Sequence, residues 1–324
     1  MMTKAVLLFL LGLVCLIKGG DWFVDSACGI ARRFRVPELI IGATVVSIGT
    51  TLPEVMVSTT SAISGHPEIA YGNAIGSVIC NTALISALTI AIKPGKADRS
   101  SMKMPVLFFF IAAAIYCAVS YTTGYFSRPV GLVMLAVFIV YIMLSVRNIK
   151  MSGDAAAEQE EHSLEKQSSL VKDLVFLVIG AALIAVGANL LVENGTIIAK
   201  ALHVPESVIA LTMVAIGTSL PELVTAITSL AKGHSLLSLG NIIGANLFNL
   251  VLVSGVAVTA KPFRIPESKM IAGMNSSLVL EIPLMIFVMA FLTFPALKAG
   301  KTMRFQGIVL LILYAAFLAV QFMI

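Results

Sequence analysis

Ten windows of mainly apolar residues recur along the chain. Each is long enough, at about 20 residues, to cross the roughly 30 Å hydrocarbon core of a bilayer as a helix. Bounded at charges, Pro and Gly, they run approximately over 4–28, 36–64, 69–92, 104–122, 128–146, 171–199, 204–231, 236–260, 276–296 and 304–323. Only 12% of the 324 residues are charged and the mean hydropathy is +0.99, against about 25% charged in soluble domains, which leaves no room for a large aqueous domain. A membrane β-barrel would show alternating segments of about ten residues instead. The expected fold is an all-α polytopic membrane protein of about ten transmembrane helices.

The first window follows Lys4 as a secretory leader would, but it continues through Asp21, Trp22 and Phe23 without a small-residue cleavage site, so it is expected to remain as a span. Cys15, Cys28, Cys80 and Cys117 fall inside windows and make no metal-type spacing; they are expected to be small core residues. The formal net charge of +5 is a topology signal rather than a nucleic-acid footprint. With the N-terminus outside, the inner loops collect 15 of the 22 Lys and Arg, from Arg32, Arg33 and Arg35 through Lys93–Lys103 and Arg147–Lys172 to Lys232, Lys298, Lys301 and Arg304. Both termini are therefore expected on the extracytoplasmic face of the cell membrane.

The chain also repeats itself. Shifted by 168 positions, Gly19–Asn81 falls on Gly187–Asn249 without a gap and with 25 identities in 63 positions. Gly49-Thr50-Thr51-Leu52-Pro53-Glu54 meets Gly217-Thr218-Ser219-Leu220-Pro221-Glu222, Gly72-Asn73 meets Gly240-Asn241, and Asn81 meets Asn249. Each copy holds five spans, and an odd number makes the second copy enter the membrane in the opposite sense. The expected organisation is a first five-helix repeat over 1–147, a polar cytoplasmic linker over 148–170 and an inverted second repeat over 171–324. Transporters built this way hold substrate near the midplane, where interrupted helices of the two halves meet.

Glu54 and Glu222 sit mid-window, where an ionised carboxylate costs about 2.5–3.5 kcal/mol on insertion scales. No Lys or Arg lies near either in sequence, so the expected partner is a cation. Pro53 and Pro221 lack the N–H that would bond the carbonyls of Gly49 and Gly217, and the preceding Gly and Thr are expected to let both helices open there. Carboxylate, carbonyl, amide and hydroxyl oxygens are what Ca²⁺ and Na⁺ require. Ser47, Thr51 and Glu54 share a helix face, Thr50 and Glu54 are one turn apart, and so are Ser77 and Asn81. Gly72 and Gly76 make a small-residue seam for packing, while a buried Asn81 or Asn249 needs polar partners.

These doubled motifs resemble the α-repeats of the sodium/calcium exchanger family, within the wider cation/calcium antiporter superfamily. The resemblance implies a ten-helix prokaryotic-type antiporter, not an enzyme, in which Na⁺ entry drives Ca²⁺ out with no cofactor beyond the transported ions. It assigns Ca²⁺ to Glu54 and Glu222 with backbone oxygens of Thr50 and Thr218. It assigns Na⁺ to the carbonyls of Ser47 and Ala215, the hydroxyls of Thr51, Ser219 and Ser77, and the neighbourhood of Asn81 and Asn249. Two positions depart from the pattern: Ala245 stands opposite Ser77 without a hydroxyl, and Val78 stands where Asn246 occurs in the second copy. Potassium-carrying relatives place an Asp near Asn81 or Asn249, so the two amides disfavour potassium.

Two ionised glutamates neutralise one Ca²⁺, whereas more than two Na⁺ leave the site positive, so electrogenic exchange is expected. The competing readings are proton-coupled cation antiport, a passive cation channel and an intramembrane hydrolase, the last disfavoured because none of the four His lies mid-span. Lipid is the expected surrounding and no nucleic acid is expected as partner. Glu281 is expected at headgroup level or in a gate, Asp21, Asp25 and Glu193 at solvated helix ends, and His66 and His234 in turns.

Overall fold

The computed structural model describes residues 2–157, 169–202, 217–267 and 270–323. Its elements are α1 (Met2–Arg33), α2 (Glu38–Ile63), α3 (Pro67–Ile92), α4 (Arg99–Thr122), α5 (Arg128–Ala157), α6 (Leu170–Ala201), α7 (Leu220–Ala231), α8 (Ser235–Ala260), α9 (Ser277–Ala299) and α10 (Arg304–Met323). Among the described residues, nine of these helices are long and apolar enough to cross a membrane, and α7 is a shorter apolar helix. The chain is thus an all-α polytopic membrane protein. The N-terminal part of the seventh expected span, 204–216, lies outside the described residues. The backbone of α5 runs helically to Ala157, into the stretch expected as polar linker; the linker's 158–168 lie outside the described residues.

Helix ends follow local chemistry. The Asp98 carboxylate caps α4, accepting from the Ser100 N–H at 3.1 Å. Pro67 occupies the first turn of α3, where a missing N–H costs nothing. Gly65 and Gly233, equivalent in the two copies, take φ +86° and +85° at the turns after the motif helices, backbone that only glycine adopts freely.

The two halves meet through glycine. A Cβ on Gly12 would lie 2.9 Å from the Gly187 carbonyl oxygen and one on Gly19 would lie 2.9 Å from that of Gly180. Because 12 pairs with 187 and 19 with 180, α1 and α6 run antiparallel. Since 12 and 180, and 19 and 187, are also equivalent under the 168-residue shift, the contact is two-fold in character. Where α2 crosses α8, a Cβ on Gly42 would meet the Leu237 carbonyl oxygen at 2.4 Å and one on Gly240 the Leu39 carbonyl oxygen at 2.1 Å. The loops obey the same relation. Tyr125–Phe126, in the α4–α5 loop, pairs antiparallel with Phe263–Arg264 of the α8–α9 loop, and Lys96 of the α3–α4 loop bridges to Lys301 of the α9–α10 loop.

Burial divides the molecule. A large apolar core joins α3, α4, α5, α8, α9 and α10 around Tyr71, Phe109, Tyr116, Phe126 and Phe248. A smaller one, with Leu16, Phe23, Val24, Leu177 and Ile184, ties α1 and α6 to the start of α2 and to Leu237. The remaining faces of α1 and α6 carry exposed Leu7, Leu10, Val14, Ile17, Val171, Val178 and Val186, as lipid contact requires.

Overpacking a core costs about 1–3 kcal/mol in ordinary cases, and a methyl group 2.1 Å from the Leu39 oxygen is a severe one. Gly240→Ala is therefore expected to lower the thermal unfolding midpoint of the detergent-purified protein by about 5 °C or more; an unchanged midpoint would show that α2 and α8 do not cross this closely.

Candidate functional site

Four helices supply the predicted residues: Ser47, Thr50, Thr51 and Glu54 on α2, Ser77 and Asn81 on α3, Glu222 at the start of α7 and Asn249 on α8. All eight are buried, with Glu54 and Glu222 at 0% exposure. Ser219 is buried and Thr218 half-buried just before α7; Ala215 lies outside the described residues.

The expected opening at the two prolines occurs in only one of them. Pro221 stands in the first turn of α7, behind a non-helical Ser219 with φ −90° and ψ 7°. Around Pro53 the backbone stays α-helical from Ser47 to Ile63. The irregularity of α2 lies two to three turns before Pro53, in a π-helical turn over Gly42–Val46. There the backbone of α8 lies directly against Gly42.

A π-helical turn shifts the backbone hydrogen bonding by one residue, a feature concentrated at functional sites. Three further turns of this kind occur among the described residues, over Asn81–Ser86, Asn249–Val253 and Ser277–Glu281. The first two begin at the equivalent asparagines. Side chains add to the backbone bonding there: the Ser47 hydroxyl lies 2.7 Å from the Gly42 carbonyl oxygen, the Ser254 hydroxyl 3.0 Å from that of Asn249, and the Tyr141 hydroxyl donates to the Ala43 carbonyl at 2.8 Å. The turn at Asn81 packs against α7, and the turn at Asn249 packs against α2. Each copy's asparagine is thereby set against the other copy's glutamate-bearing helix.

The polar atoms at this crossing are short of partners. Neither carboxylate oxygen of Glu54 or of Glu222 has a hydrogen-bond partner among the described residues. The same holds for the Thr51 and Ser219 hydroxyls and for both amide atoms of Asn81 and of Asn249. The two carboxyl groups lie within electrostatic reach of each other, and the Thr50 and Thr51 side chains approach Glu222. An unmade buried hydrogen bond costs about 1–3 kcal/mol, and more for a charged group. Oxygen-rich and lacking basic side chains, this cluster is chemically suited to a hard cation such as Ca²⁺ or Na⁺. A cleft lined by Gly49, Thr50, Pro53, Ile184 and Pro221 runs between the motif residues and α6.

Two asparagines of the doubled motifs that were given no role of their own, Asn241 and Asn246, join this constellation. Asn241 presents its Oδ1 to the hydroxyls of Ser47 at 3.2 Å and Thr50 at 3.3 Å, and its carbonyl oxygen to Ser47 at 2.9 Å, while its amide nitrogen has no partner among the described residues. Asn246 donates to Thr82 across the helices at 2.7 Å and keeps a free carbonyl oxygen. Asn241 was visible as the counterpart of Asn73, whose amide instead donates to the Ser58 hydroxyl at 2.9 Å and the Glu54 carbonyl at 3.4 Å. Opposite Asn246 stands Val78, fully buried, and Ala245 is equally buried opposite Ser77. The donor set is therefore unequal between the two copies. Farther out, Glu281 accepts from Ser277 at 2.8 Å and Gln321 at 3.1 Å, and Asp21 and Asp25 pair with Lys232 at 3.2 and 2.8 Å.

Asn241→Ala removes the acceptor shared by Ser47 and Thr50 and is expected to destabilise the protein by about 1–3 kcal/mol, read by thermal unfolding in detergent. Wild-type stability in this variant would mean that the amide does not anchor the α2–α8 crossing.

Comparison with known proteins places these features in a family. Residues 4–147 and 172–323 match the sodium/calcium exchanger protein family. An uncharacterized membrane protein of Methanocaldococcus jannaschii is 36% identical, with 97% of each chain covered. The sodium/calcium exchanger MaX1 of Methanosarcina acetivorans is 30% identical over the full length of both. A solved structure of the sodium-calcium exchanger NCX_Mj, soaked with Na⁺ and Sr²⁺, superposes with a TM-score of 0.80 at 34% identity, covering 98% of this chain and 99% of that one. The chain belongs to the sodium/calcium exchanger protein family.

Proposed function

We propose that this protein is a secondary antiporter that exchanges Na⁺ for Ca²⁺ by alternating access, with Glu54 and Glu222 as the shared cation ligands. The observation that carries the reading is the pair of fully buried carboxylates surrounded by unpartnered hydroxyls and amides. Ca²⁺ is held between the two glutamates with oxygens of Thr50 and Thr218, making that loaded state nearly neutral and cheap to pass through a low-dielectric region. Na⁺ ions use the same carboxylates together with the carbonyls of Ser47 and Ala215, the hydroxyls of Thr51, Ser219 and Ser77, and the amides of Asn81 and Asn249. Asn241 orders the Ser47–Thr50 edge of the site. Membership of the family and the names of the relatives, MaX1 and NCX_Mj among them, support the choice of ions.

The chain divides into an inverted pair, 1–147 and 171–324, joined by the linker at 148–170. The antiparallel glycine contact of α1 with α6 and the paired loop contacts at Tyr125–Arg264 and Lys96–Lys301 support this division. α1 and α6 slide as a pair past the helices bearing the glutamates, exposing the site to one face and then the other. Their separate, smaller core and the cleft between α6 and the two motif prolines support that motion. The excess of Lys and Arg in alternate loops places both termini outside the cell membrane. Loading with more than two Na⁺ leaves net positive charge, so exchange is electrogenic, and the asparagines at 81 and 249 make it independent of potassium.

Reconstituted vesicles loaded with Na⁺ should take up Ca²⁺ when the gradient is directed outward, and a proton gradient alone should not substitute for it. Equal uptake driven by protons without Na⁺ would refute sodium coupling. Glu54→Gln and Glu222→Gln each remove one ligand charge, a loss of about 3 kcal/mol or more and hence about 100-fold in Ca²⁺ affinity; transport near wild type in either folded variant would sink the two-carboxylate site. An imposed diffusion potential should alter the exchange rate while replacement of K⁺ should not, and a rate indifferent to potential would exclude net charge movement.

A further inference from the structure

Away from the glutamate site, three helices converge near the end of α1. Cys28 is buried on α1, Glu38 opens α2, and His234 precedes α8. The His234 Nδ1 lies 2.7 Å from a Glu38 carboxylate oxygen, and one ligand atom from each of the three residues lies within 4.8 Å of the others. A tetrahedral Zn²⁺ with bonds of about 2.0–2.3 Å sets its N, O and S ligands roughly 3.3–3.8 Å apart. The His234–Glu38 separation lies below that range and all three atoms lie within 4.8 Å of one another, so side-chain adjustment can bring them onto one ion.

We propose that Cys28, Glu38 and His234 form a binding site for a thiophilic divalent cation of the Zn²⁺ class, which pins α1 to α2 and α8. The fourth position goes to water. On binding, the Cys28 thiol loses its proton and the proton shared by His234 and Glu38 leaves, so the metal meets a thiolate, a carboxylate and a neutral imidazole. The two negative charges match the ion. A sulfur and an imidazole in the donor set select against Ca²⁺ and Na⁺, which separates this site from the all-oxygen cluster at Glu54 and Glu222. Under the 168-residue shift the counterparts are Thr196, Glu206 and His66; the thiol is absent, so the device exists at one end of the molecule only. Because α1 is the helix that moves in the proposed exchange cycle, metal at this position slows transport. That consequence rests on the proposed function; the binding itself does not.

The test uses the full-length protein in detergent, titrated with Zn²⁺ in excess Ca²⁺ and Na⁺, with Co²⁺ as a spectroscopic probe. One Zn²⁺ per chain is expected, together with a thiolate-to-cobalt charge-transfer band. Cys28→Ser should abolish the band and weaken Zn²⁺ binding at least about tenfold, while Glu54→Gln should leave both intact. If Cys28→Ser does not fold, His234→Gln, at the half-exposed rim, carries the same affinity comparison. No band in the wild type, or unchanged affinity in the variants, overturns the site. In vesicles, Zn²⁺ should slow Na⁺-driven Ca²⁺ uptake by the wild type and not by Cys28→Ser, which keeps its Zn²⁺-free rate. Binding without any slowing overturns the pinning. Absence of exchange in the Zn²⁺-free wild type would count against the transport reading alone, since the titration still decides the metal site.

Discussion

Two carboxyl groups held within reach of each other inside a bilayer set the terms for everything around them. Charge at that depth is tolerated only with compensation, and the surroundings of Glu54 and Glu222 contain no basic side chain among the described residues. Compensation comes from groups that favour cations: hydroxyls and amides without hydrogen-bond partners among the described residues. The π-helical turns at Asn81 and Asn249 fit this demand. Each leaves the helix intact enough to span the membrane, and each is packed against the motif helix of the other copy.

Close backbone approach makes that arrangement possible. Gly42, Gly240 and Gly244 let α2 lie directly on α8, with Ser47 filling the space beside Gly244. Without that contact Asn241 could not reach the Ser47 and Thr50 hydroxyls. The glycines of α1 and α6 serve a different end: they join these helices to each other while leaving their outer faces to lipid. In a membrane, where burial against lipid gives no hydrophobic gain, such small-residue contacts are the main source of helix association. One pair of glycine seams brings α2 onto α8 at the site, and the other joins α1 to α6, which reach α2 and α8 through the smaller core.

The two copies are related but not equivalent. Pro53 is accommodated within a continuous helical stretch, whereas Pro221 begins one. Asn246 has a cross-helix partner in Thr82, and its counterpart is Val78. The two similar halves therefore present unequal donor sets to the space between them. The Cys28–Glu38–His234 cluster follows the same pattern, because the repeat supplies its Glu and His twice and its thiol once.

The sequence alone determined the membrane class, nine of the spans to within a few residues, and the repeat that pairs Glu54 with Glu222, because apolar length and mid-span charge are properties of local composition. It pointed to Ser47, Thr50, Thr51 and Asn81 through helical spacing for the same reason. Tertiary structure decided what spacing cannot express. Pro53 promised an opening, but the irregular backbone of α2 lies instead at Gly42–Val46, where α8 packs closest. Asn241 was visible only as the repeat counterpart of Asn73, and the α2–α8 crossing is what sets it against Ser47 and Thr50. Cys28, Glu38 and His234 lie as much as 206 residues apart in the chain, and only the convergence of three helix ends brings them within reach of one ion. Periodicity fixes which face of a helix a residue occupies; which other face it meets depends on the distance between backbones, and here glycine sets that distance.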